Sequence, residues 1–371
     1  MPHRLRFMTQ FPVVDPLPLP APVWVFKVLH NLSLALHLVS VDLLLGGLVL
    51  ALAFAVAGKS QPATMIMRRL PGLIAFVVAL GLLPLLFAQV LYGHALYTSS
   101  VLIGTYWIAV IALLAGIYYS VYLSARRADR RQAWAVPGFA ALLLVLTIAF
   151  IYSNNMTLML RPQVWPAMSH GASTGFQLNS SDPTLLARWL FFITGALPVA
   201  GAALALLSIR HGLGEDAWRF LARGGGAVTA GGILLQCSFA DLAIAAQPQS
   251  VFQSVINDPV YGAFAYAWIA TAVLLFVAGL MGVIISASRA VAKTIAIAGA
   301  SIAFLNVGAT VMVRDGIRDF SLRAAGFDVW NRQVAPNWPI IGISLFLFAA
   351  AVSAIGYLIT VKTRGAAEQH A

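Results

Sequence analysis

The chain has 371 residues, of which 60% are hydrophobic and 9% are charged, and its mean hydropathy is +0.87. A soluble domain carries about 25% charged residues and needs a polar surface, so this composition excludes a water-soluble globule. The net charge of +11 falls mainly in short connections between apolar stretches. That placement indicates membrane topology and argues against nucleic acid as a partner.

Apolar stretches of about 20 residues, the length that crosses a bilayer core, recur along the whole chain. They lack the alternation of a β-barrel, so they are expected to form helices that satisfy their own backbone hydrogen bonds. Only the residues TSS separate the second stretch from the third, which predicts a tight antiparallel hairpin. Nine spans are predicted, at residues 24–57, 71–97, 100–124, 136–160, 186–209, 225–246, 261–286, 294–312 and 338–361. The sequence therefore predicts an all-α, polytopic transmembrane helix bundle embedded in lipid.

Lysine and arginine are shared unevenly between the two sets of connections. The set that contains ARRADRRQAW is richer, and positively charged connections stay in the cytoplasm. The N-terminus is then outside and the C-terminus cytoplasmic. Residues 1–23 form an extracytoplasmic tail, 24–361 a single transmembrane domain and 362–371 a cytoplasmic tail. Two long outer connections, 161–186 and 313–337, either dock a partner or pack on the bundle.

The cysteine content limits the cofactors of this chain. Cys237 is its single cysteine and lies in an apolar span, so a CxxCH motif and a covalent c-type haem are excluded. A c-type cytochrome working with this protein would have to be a separate subunit.

Three histidines in the first two spans are candidate haem ligands. His30 and His37 are seven residues apart on one helical face, and His94 lies in the second span. A neutral imidazole on a transmembrane helix is the usual axial ligand of b-type haem. The sequence predicts haem iron bound by His94 together with His37 or His30, near the outer face. The alternative is that these are interface residues held by hydrogen bonds.

A quinone site is the second candidate. It needs hydrogen-bond donors for the quinone carbonyls and a titratable group beside them. Gln89 and Tyr92 are three residues apart and expected on one face, while His94 and Asp42 supply titratable groups. The alternative is an interhelical hydrogen-bond cluster that holds the helices together.

The segment VMVRDGIRDFSL follows the eighth span and carries two acid–base pairs. Arg314 and Arg318 are four residues apart, as are Asp315 and Asp319, so a helix continuing beyond the membrane is expected. The arginines are candidates to contact an anion, such as a haem propionate or an acidic patch on a partner. The alternative is a solvated helix end whose charges pair with one another.

Three stretches, LHNLSLALHLVSVDLLLGG, LLPLLFAQVLYGHALYTSS and VMVRDGIRDFSL, resemble polytopic membrane subunits that accompany c-type cytochromes in bacterial respiratory chains. The resemblance implies electron exchange between the quinone pool and extracytoplasmic cytochromes or other respiratory subunits. It also implies a place in the bacterial inner membrane and an enzymatic role as the membrane subunit of a quinol:cytochrome oxidoreductase. The positions that it singles out are His37, Gln89, Tyr92, Arg314 and Arg318. The chain departs from cytochrome b patterns in having fewer histidines within its spans.

The sequence is also compatible with two other functions. A secondary transporter or proton-coupled permease would use helices broken near the membrane midplane, for which Pro84 and Pro198 are candidates. Asp241 is the candidate to bind a proton or cation in such a transporter. A haem-free membrane anchor for a peripheral complex would use the two long outer connections.

Overall fold

The computed structural model describes residues 18–171, 175–210, 212–284 and 288–368. Residues 1–17 of the predicted N-terminal tail and 369–371 of the predicted C-terminal tail lie outside the described residues. The described residues form an all-α bundle, which confirms the predicted fold class. Its helices are α1 (Val23–Val56), α2 (Ser60–Met67), α3 (Leu70–Leu102), α4 (Gly104–Asp129), α5 (Ala135–Leu158), α6 (Trp165–Gly171), α7 (Leu185–Leu207), α8 (Glu215–Ala245), α9 (Gln249–Asn257), α10 (Pro259–Ile284), α11 (Arg289–Ala324) and α12 (Trp338–Glu368).

The described residues contain eight helical segments that are long and apolar enough to cross a membrane, with α2 and α3 counted together. They coincide with the first eight predicted spans. The ninth predicted span falls on α12, whose apolar stretch covers Trp338–Ala350 among the described side chains. That span and the orientation of the termini stay predictions.

The turn predicted at TSS is helical instead. α3 continues through these residues to Leu102, and the chain turns at Ile103, where φ is −107°. The hydroxyl of Ser99 donates to the carbonyl oxygen of Leu96 at 3.0 Å. A serine bonded to its own helix in this way needs no water, so it can continue a helix where the sequence pattern indicates a turn.

α3 is bent within its length. Pro84 lies inside the helix, and Tyr92 has non-helical dihedral angles of φ −124° and ψ 21°. A helix interrupted in this way kinks. The bend lies at the residue whose side chain is buried in the candidate site described below.

Small residues let the central helices approach closely. α1 packs on α3, α7 and α11, and α7 packs along α8. A methyl group added at Gly225 of α8 would lie 2.6 Å from the carbonyl oxygen of Gly201 on α7. Such backbone contact favours van der Waals packing between transmembrane helices, where no hydrophobic force drives association.

The end of the bundle at which α1 begins and α11 ends carries both long connections, and we call it the loop-bearing end. Leu19 donates from its backbone N–H to the carbonyl oxygen of Gln333 at 2.8 Å and accepts from Ala335 at 2.9 Å. The segment before α1 therefore runs beside the connection between α11 and α12. This connection is shorter than the predicted 313–337, because α11 continues to Ala324.

The other long connection also packs on the bundle. The indole N–H of the buried Trp165 donates to the carbonyl oxygen of Leu158 at 3.0 Å. Arg161 Nη1 donates to Oδ1 of Asn179 at 2.7 Å, and the backbone N–H of Asn179 donates to Asn154 Oδ1 at 3.0 Å. Packing on the bundle is thus observed for both connections, while docking of a partner stays a prediction.

Candidate functional site

A buried group of charges surrounds Lys27, on the second turn of α1. Its Nζ lies 2.9 Å from Oδ2 of Asp315 and 2.6 Å from Oδ2 of Asp319. The two aspartates are four residues apart on α11, so they share one helical face. Lys27 is 4% exposed, and Asp315 and Asp319 are 2% and 4% exposed. The name "charged cluster" is used below for Lys27, Tyr92, Tyr261, Asp315, Arg318 and Asp319.

Two tyrosine hydroxyls bridge the carboxylates. The Tyr92 hydroxyl lies 3.1 Å from Asp315 Oδ1 and 2.9 Å from Asp319 Oδ1. The Tyr261 hydroxyl lies 3.2 Å from Asp315 Oδ2 and 2.9 Å from Asp319 Oδ2. A hydroxyl has one proton, so each tyrosine can donate to either aspartate but not to both at once. Lys27 Nζ also donates to the hydroxyl oxygen of Tyr92 at 2.8 Å.

Arg318 supplies the second cation and connects the cluster to His30. Its Nη1 lies 3.4 Å from Asp315 Oδ1 and 2.9 Å from Nε2 of His30. Because arginine always donates, His30 Nε2 accepts and the ring proton sits on Nδ1, which donates to the carbonyl oxygen of Pro84 at 3.0 Å. His30 is therefore a neutral imidazole with both nitrogens occupied.

The charges of the cluster balance. Lys27 and Arg318 bring two positive charges, and Asp315 and Asp319 bring two negative ones. An isolated charge in the membrane interior costs several kcal/mol, and pairing with hydrogen bonds offsets that cost. The four helices that supply the cluster are thus joined by a neutral but highly polar contact.

A tryptophan covers the cluster toward the loop-bearing end. Trp330 lies in a short 3-10 turn, Val329–Asn331, and its indole N–H donates to Asp319 Oδ2 at 3.0 Å. The side chain of Asp328 accepts from the backbone N–H of Trp330 at 3.0 Å and fixes this turn. Trp330 is 44% exposed, so it is the boundary between the buried carboxylates and the surroundings.

The structure does not bring the predicted haem ligands together. His30 contacts Pro84, whereas His94 lies almost three turns further along α3, about 15 Å at the rise of an α-helix. His37 Nδ1 lies 3.0 Å from the carbonyl oxygen of Val77, which places His37 about 25 Å from His94 along α3. Neither predicted pair is therefore adjacent within this chain, and haem binding stays a prediction.

The residues predicted for a quinone site are also separated. Tyr92 is fully buried in the charged cluster, whereas Gln89 is exposed on the outside of α3. Asp42 lies about 22 Å from Lys27 along α1. The kink at Tyr92 accounts for part of the difference, because the spacing argument assumed one regular helix.

The prediction that residues 314–319 form a solvated helix end is wrong. Asp315, Arg318 and Asp319 are buried, and they pair across the bundle with α1 as well as within α11. Arg314 is half-buried, with its guanidinium 5.0 Å from the ring centre of Phe192 on α7. Contact of Arg314 with an anion stays a prediction, while the guanidinium of Arg318 already contacts Asp315 and His30.

Sequence reasoning missed three members of the site. The sequence patterns single out none of Lys27, Tyr261 and Trp330. The available signal was a lysine one turn inside an apolar helix, together with two aspartates on one face of another helix. An intramembrane cation requires an intramembrane anion, and these residues satisfy one another.

A second polar region lies deeper between the helices, around Asp42. We call it the Asp42 cavity; its polar walls are Asp42 of α1, Gln236 of α8, and Asn306 and Thr310 of α11. Asp42 is buried, and the predicted cation-binding residue Asp241 is exposed on α8.

Among the described residues, no group of three or more histidine, cysteine, aspartate or glutamate side chains could hold a metal ion. No known protein family and no curated protein matches this chain.

Proposed function

We propose that this protein is the membrane subunit of a bacterial respiratory electron-transfer complex, and that its charged cluster passes protons. Electrons would be exchanged between the quinone pool and extracytoplasmic cytochromes, the role implied by the resemblance of three stretches of its sequence. The observation that carries the proton-transfer part is the buried pair Asp315 and Asp319, bridged by two tyrosine hydroxyls and by Lys27.

The position of the cluster supports a proton-handling role. Ionisable groups within transmembrane helices are costly, and those that proteins keep often belong to proton relays. Quinol oxidation releases protons, which need acceptors near the membrane surface. The cluster lies at the loop-bearing end, which is the outer side in the predicted orientation.

The hydrogen bonds of the cluster provide a route for one proton. A proton taken up by Asp315 passes to the Tyr92 oxygen, 3.1 Å away, while the Tyr92 hydroxyl gives its own proton to Asp319 Oδ1, 2.9 Å away. Asp315 is then ionised again and Asp319 carries the proton, so the transfer leaves the total charge unchanged. Asp319 lies against Trp330 at the boundary of the bundle, where it releases the proton.

His37 is the histidine whose contacts best suit a haem ligand in this proposal. Its Nδ1 donates to the carbonyl oxygen of Val77 at 3.0 Å, which leaves Nε2 as the nitrogen for a metal. Ligand histidines usually donate their other ring N–H to a carbonyl or carboxylate in this way. A methyl group at Gly81 would lie 2.8 Å from Cε1 of His37, so this glycine provides room for the ring. No second histidine lies beside His37 among the described residues, so a second ligand would have to come from elsewhere.

Purification of the tagged protein from its own membranes in mild detergent tests the respiratory assignment. We expect redox subunits with covalent haem to copurify and quinol to reduce the attached cytochrome. A preparation free of redox subunits and without quinol oxidation would contradict the assignment and favour the anchor or the permease. The reduced-minus-oxidised spectrum of a His37→Ala variant shows whether a b-type band depends on that residue.

The proton route is tested in the same purified complex. Tyr92→Phe combined with Tyr261→Phe removes both bridging hydroxyls, and loss of a proton-transfer group typically costs about a hundredfold in rate. Tyr97→Phe is the matched control, because Tyr97 lies on the same helix and is 72% exposed. Equal quinol oxidation rates in the two variants would contradict the route while leaving the respiratory assignment intact.

A proton-coupled permease is the second candidate function, and the surroundings of Asp42 favour it. Pro198 lies inside the continuous helix α7 and lines the cavity, and proline residues mark the helices around the midplane binding sites of transporters. Uptake of solutes by cells with and without the gene distinguishes this candidate, since a respiratory subunit changes respiration without a solute-specific defect.

A further inference from the structure

The Asp42 cavity is lined by residues of five helices and has room for one small occupant. Its volume is about 20 Å³, and a single water molecule needs roughly 10–15 Å³. The apolar part of the wall includes Phe192 and Val199 of α7 and Leu275 of α10. The site shares no residue with the charged cluster.

Two buried oxygen-bearing groups at this cavity have no partner among the described residues. Asp42 is 9% exposed, and its carboxylate makes neither a hydrogen bond nor an ion pair there. Gln236 is 5% exposed, and its Oε1 is buried without a hydrogen-bond partner. A buried acceptor without a partner costs about 1–3 kcal/mol, and a buried charge costs more.

The remaining polar groups also have oxygens free to accept. Asn306 uses its Nδ2 for the carbonyl oxygen of Trp268 at 3.2 Å and Thr271 Oγ1 at 2.9 Å, so its Oδ1 is available. Thr310 donates its hydroxyl proton to the carbonyl oxygen of Asn306 at 2.9 Å, which leaves its lone pairs available. The polar lining therefore presents acceptors, which suits a cation.

Gly195 holds the amide of Gln236 in place. A methyl group at Gly195 would lie 2.6 Å from Nε2 of Gln236 and 3.7 Å from its Oε1. The nitrogen end of the amide is thus seated against α7, and the oxygen end is the one further from this wall. A side chain at position 195 would displace the amide that lines the cavity.

From these contacts we propose that the Asp42 cavity binds a sodium ion. One carboxylate neutralises one monovalent cation, and neutral oxygens from Gln236, Asn306 and Thr310 complete a set of hard ligands. A divalent ion would leave a positive charge in the membrane interior, and Mg²⁺ retains several water molecules for which the cavity has no space. Water alone would satisfy the oxygens but leave the charge of Asp42 uncompensated. Arg314 lies one turn beyond Thr310, over Phe192, without an ion pair to Asp42.

The binding of radioactive sodium to the purified full-length protein in detergent, at alkaline pH, tests this proposal. We expect saturable binding that unlabelled sodium displaces and choline does not, and a rise in unfolding temperature with NaCl compared with choline chloride. Both should be lost in Asp42→Asn, with affinity reduced at least about tenfold. Asp241→Asn is the matched control, because this aspartate is exposed on α8.

Saturable binding that is equal in Asp42→Asn and Asp241→Asn would overturn the proposal. So would the absence of binding in the unmodified protein, which would leave a proton as the partner of Asp42. If Asp42→Asn does not fold, Gly195→Ala provides an independent test, because it should weaken sodium binding by displacing Gln236. This test does not depend on either candidate function, because sodium binding is measured without quinol, cytochrome or transported solute.

Discussion

The charged cluster and the Asp42 cavity both involve α1 and α11, but they treat buried charge in opposite ways. In the cluster, every carboxylate has a cation and bridging hydroxyls within hydrogen-bond distance. In the cavity, Asp42 has neither among the described residues, and space for one small occupant lies beside it. A compensated charge joins helices, whereas an uncompensated charge next to free volume is suited to bind a ligand.

The largest effect is expected when the cluster loses its central cation. Lys27→Met leaves Asp315 and Asp319 facing each other with Arg318 as the remaining cation. Breaking a buried ion pair in this way should lower the free energy of unfolding by about 3–5 kcal/mol, measured by denaturant titration in mixed micelles. Lys293→Met, at an exposed position on α11, is the control and should change stability little. A loss of similar size in both variants would show that the cluster does not stabilise the bundle.

A smaller loss is expected for one bridging hydroxyl. Tyr261→Phe removes the O–H that lies between the two aspartates while Lys27 keeps both carboxylates paired. Hydrogen bonds to charged groups contribute about 1.5–3 kcal/mol, so the free energy of unfolding should fall by that amount. Tyr266→Phe, at an exposed site on the same helix, provides the comparison. Equal stability of the two variants would mean that the hydroxyl contributes nothing to the contact.

Crowding of the cavity wall should have a moderate effect. Gly195→Ala places a methyl group against Gln236, and overpacking of this kind typically costs about 1–2 kcal/mol. Gly231→Ala is the control on α8, where a methyl group meets nothing within 4 Å. The control should gain stability from the higher helix propensity of alanine. Stabilisation of both variants would show that Gly195 is not needed for space.

The smallest effect is expected at Asp42 itself when sodium is absent. Asp42→Asn removes a charge that has no partner among the described residues, so no hydrogen bond or ion pair is lost. The free energy of unfolding in choline chloride should therefore show no loss, and it should rise to the extent that Asp42 is ionised. A fall in the free energy of unfolding as large as that of Lys27→Met would show that the Asp42 carboxylate has a stabilising partner. The two regions would then not differ in how they treat buried charge.

The sequence by itself determined the fold class and the approximate positions of eight helices that are long and apolar enough to cross a membrane. Bilayer thickness fixes the length of an apolar helix, and this constraint is local, so it can be read along the chain. The sequence also marked Tyr92 and Asp42 as polar residues within apolar spans, and it singled out the acid–base pairs of residues 314–319. It could not show how far α11 extends, because the residues 314–319 look like a charged helix end in water.

The tertiary structure decided which polar residues meet. Lys27 and Asp315 are separated by 288 residues, and their contact depends on how α1 and α11 are placed side by side. That placement depends on the rest of the bundle: Gly46 lets α1 approach α7 closely, and α7 also packs on α11. Burial also changed the interpretation of α11. Its charges could pair with one another along a solvated helix, but they pair across the bundle because burial removes them from water.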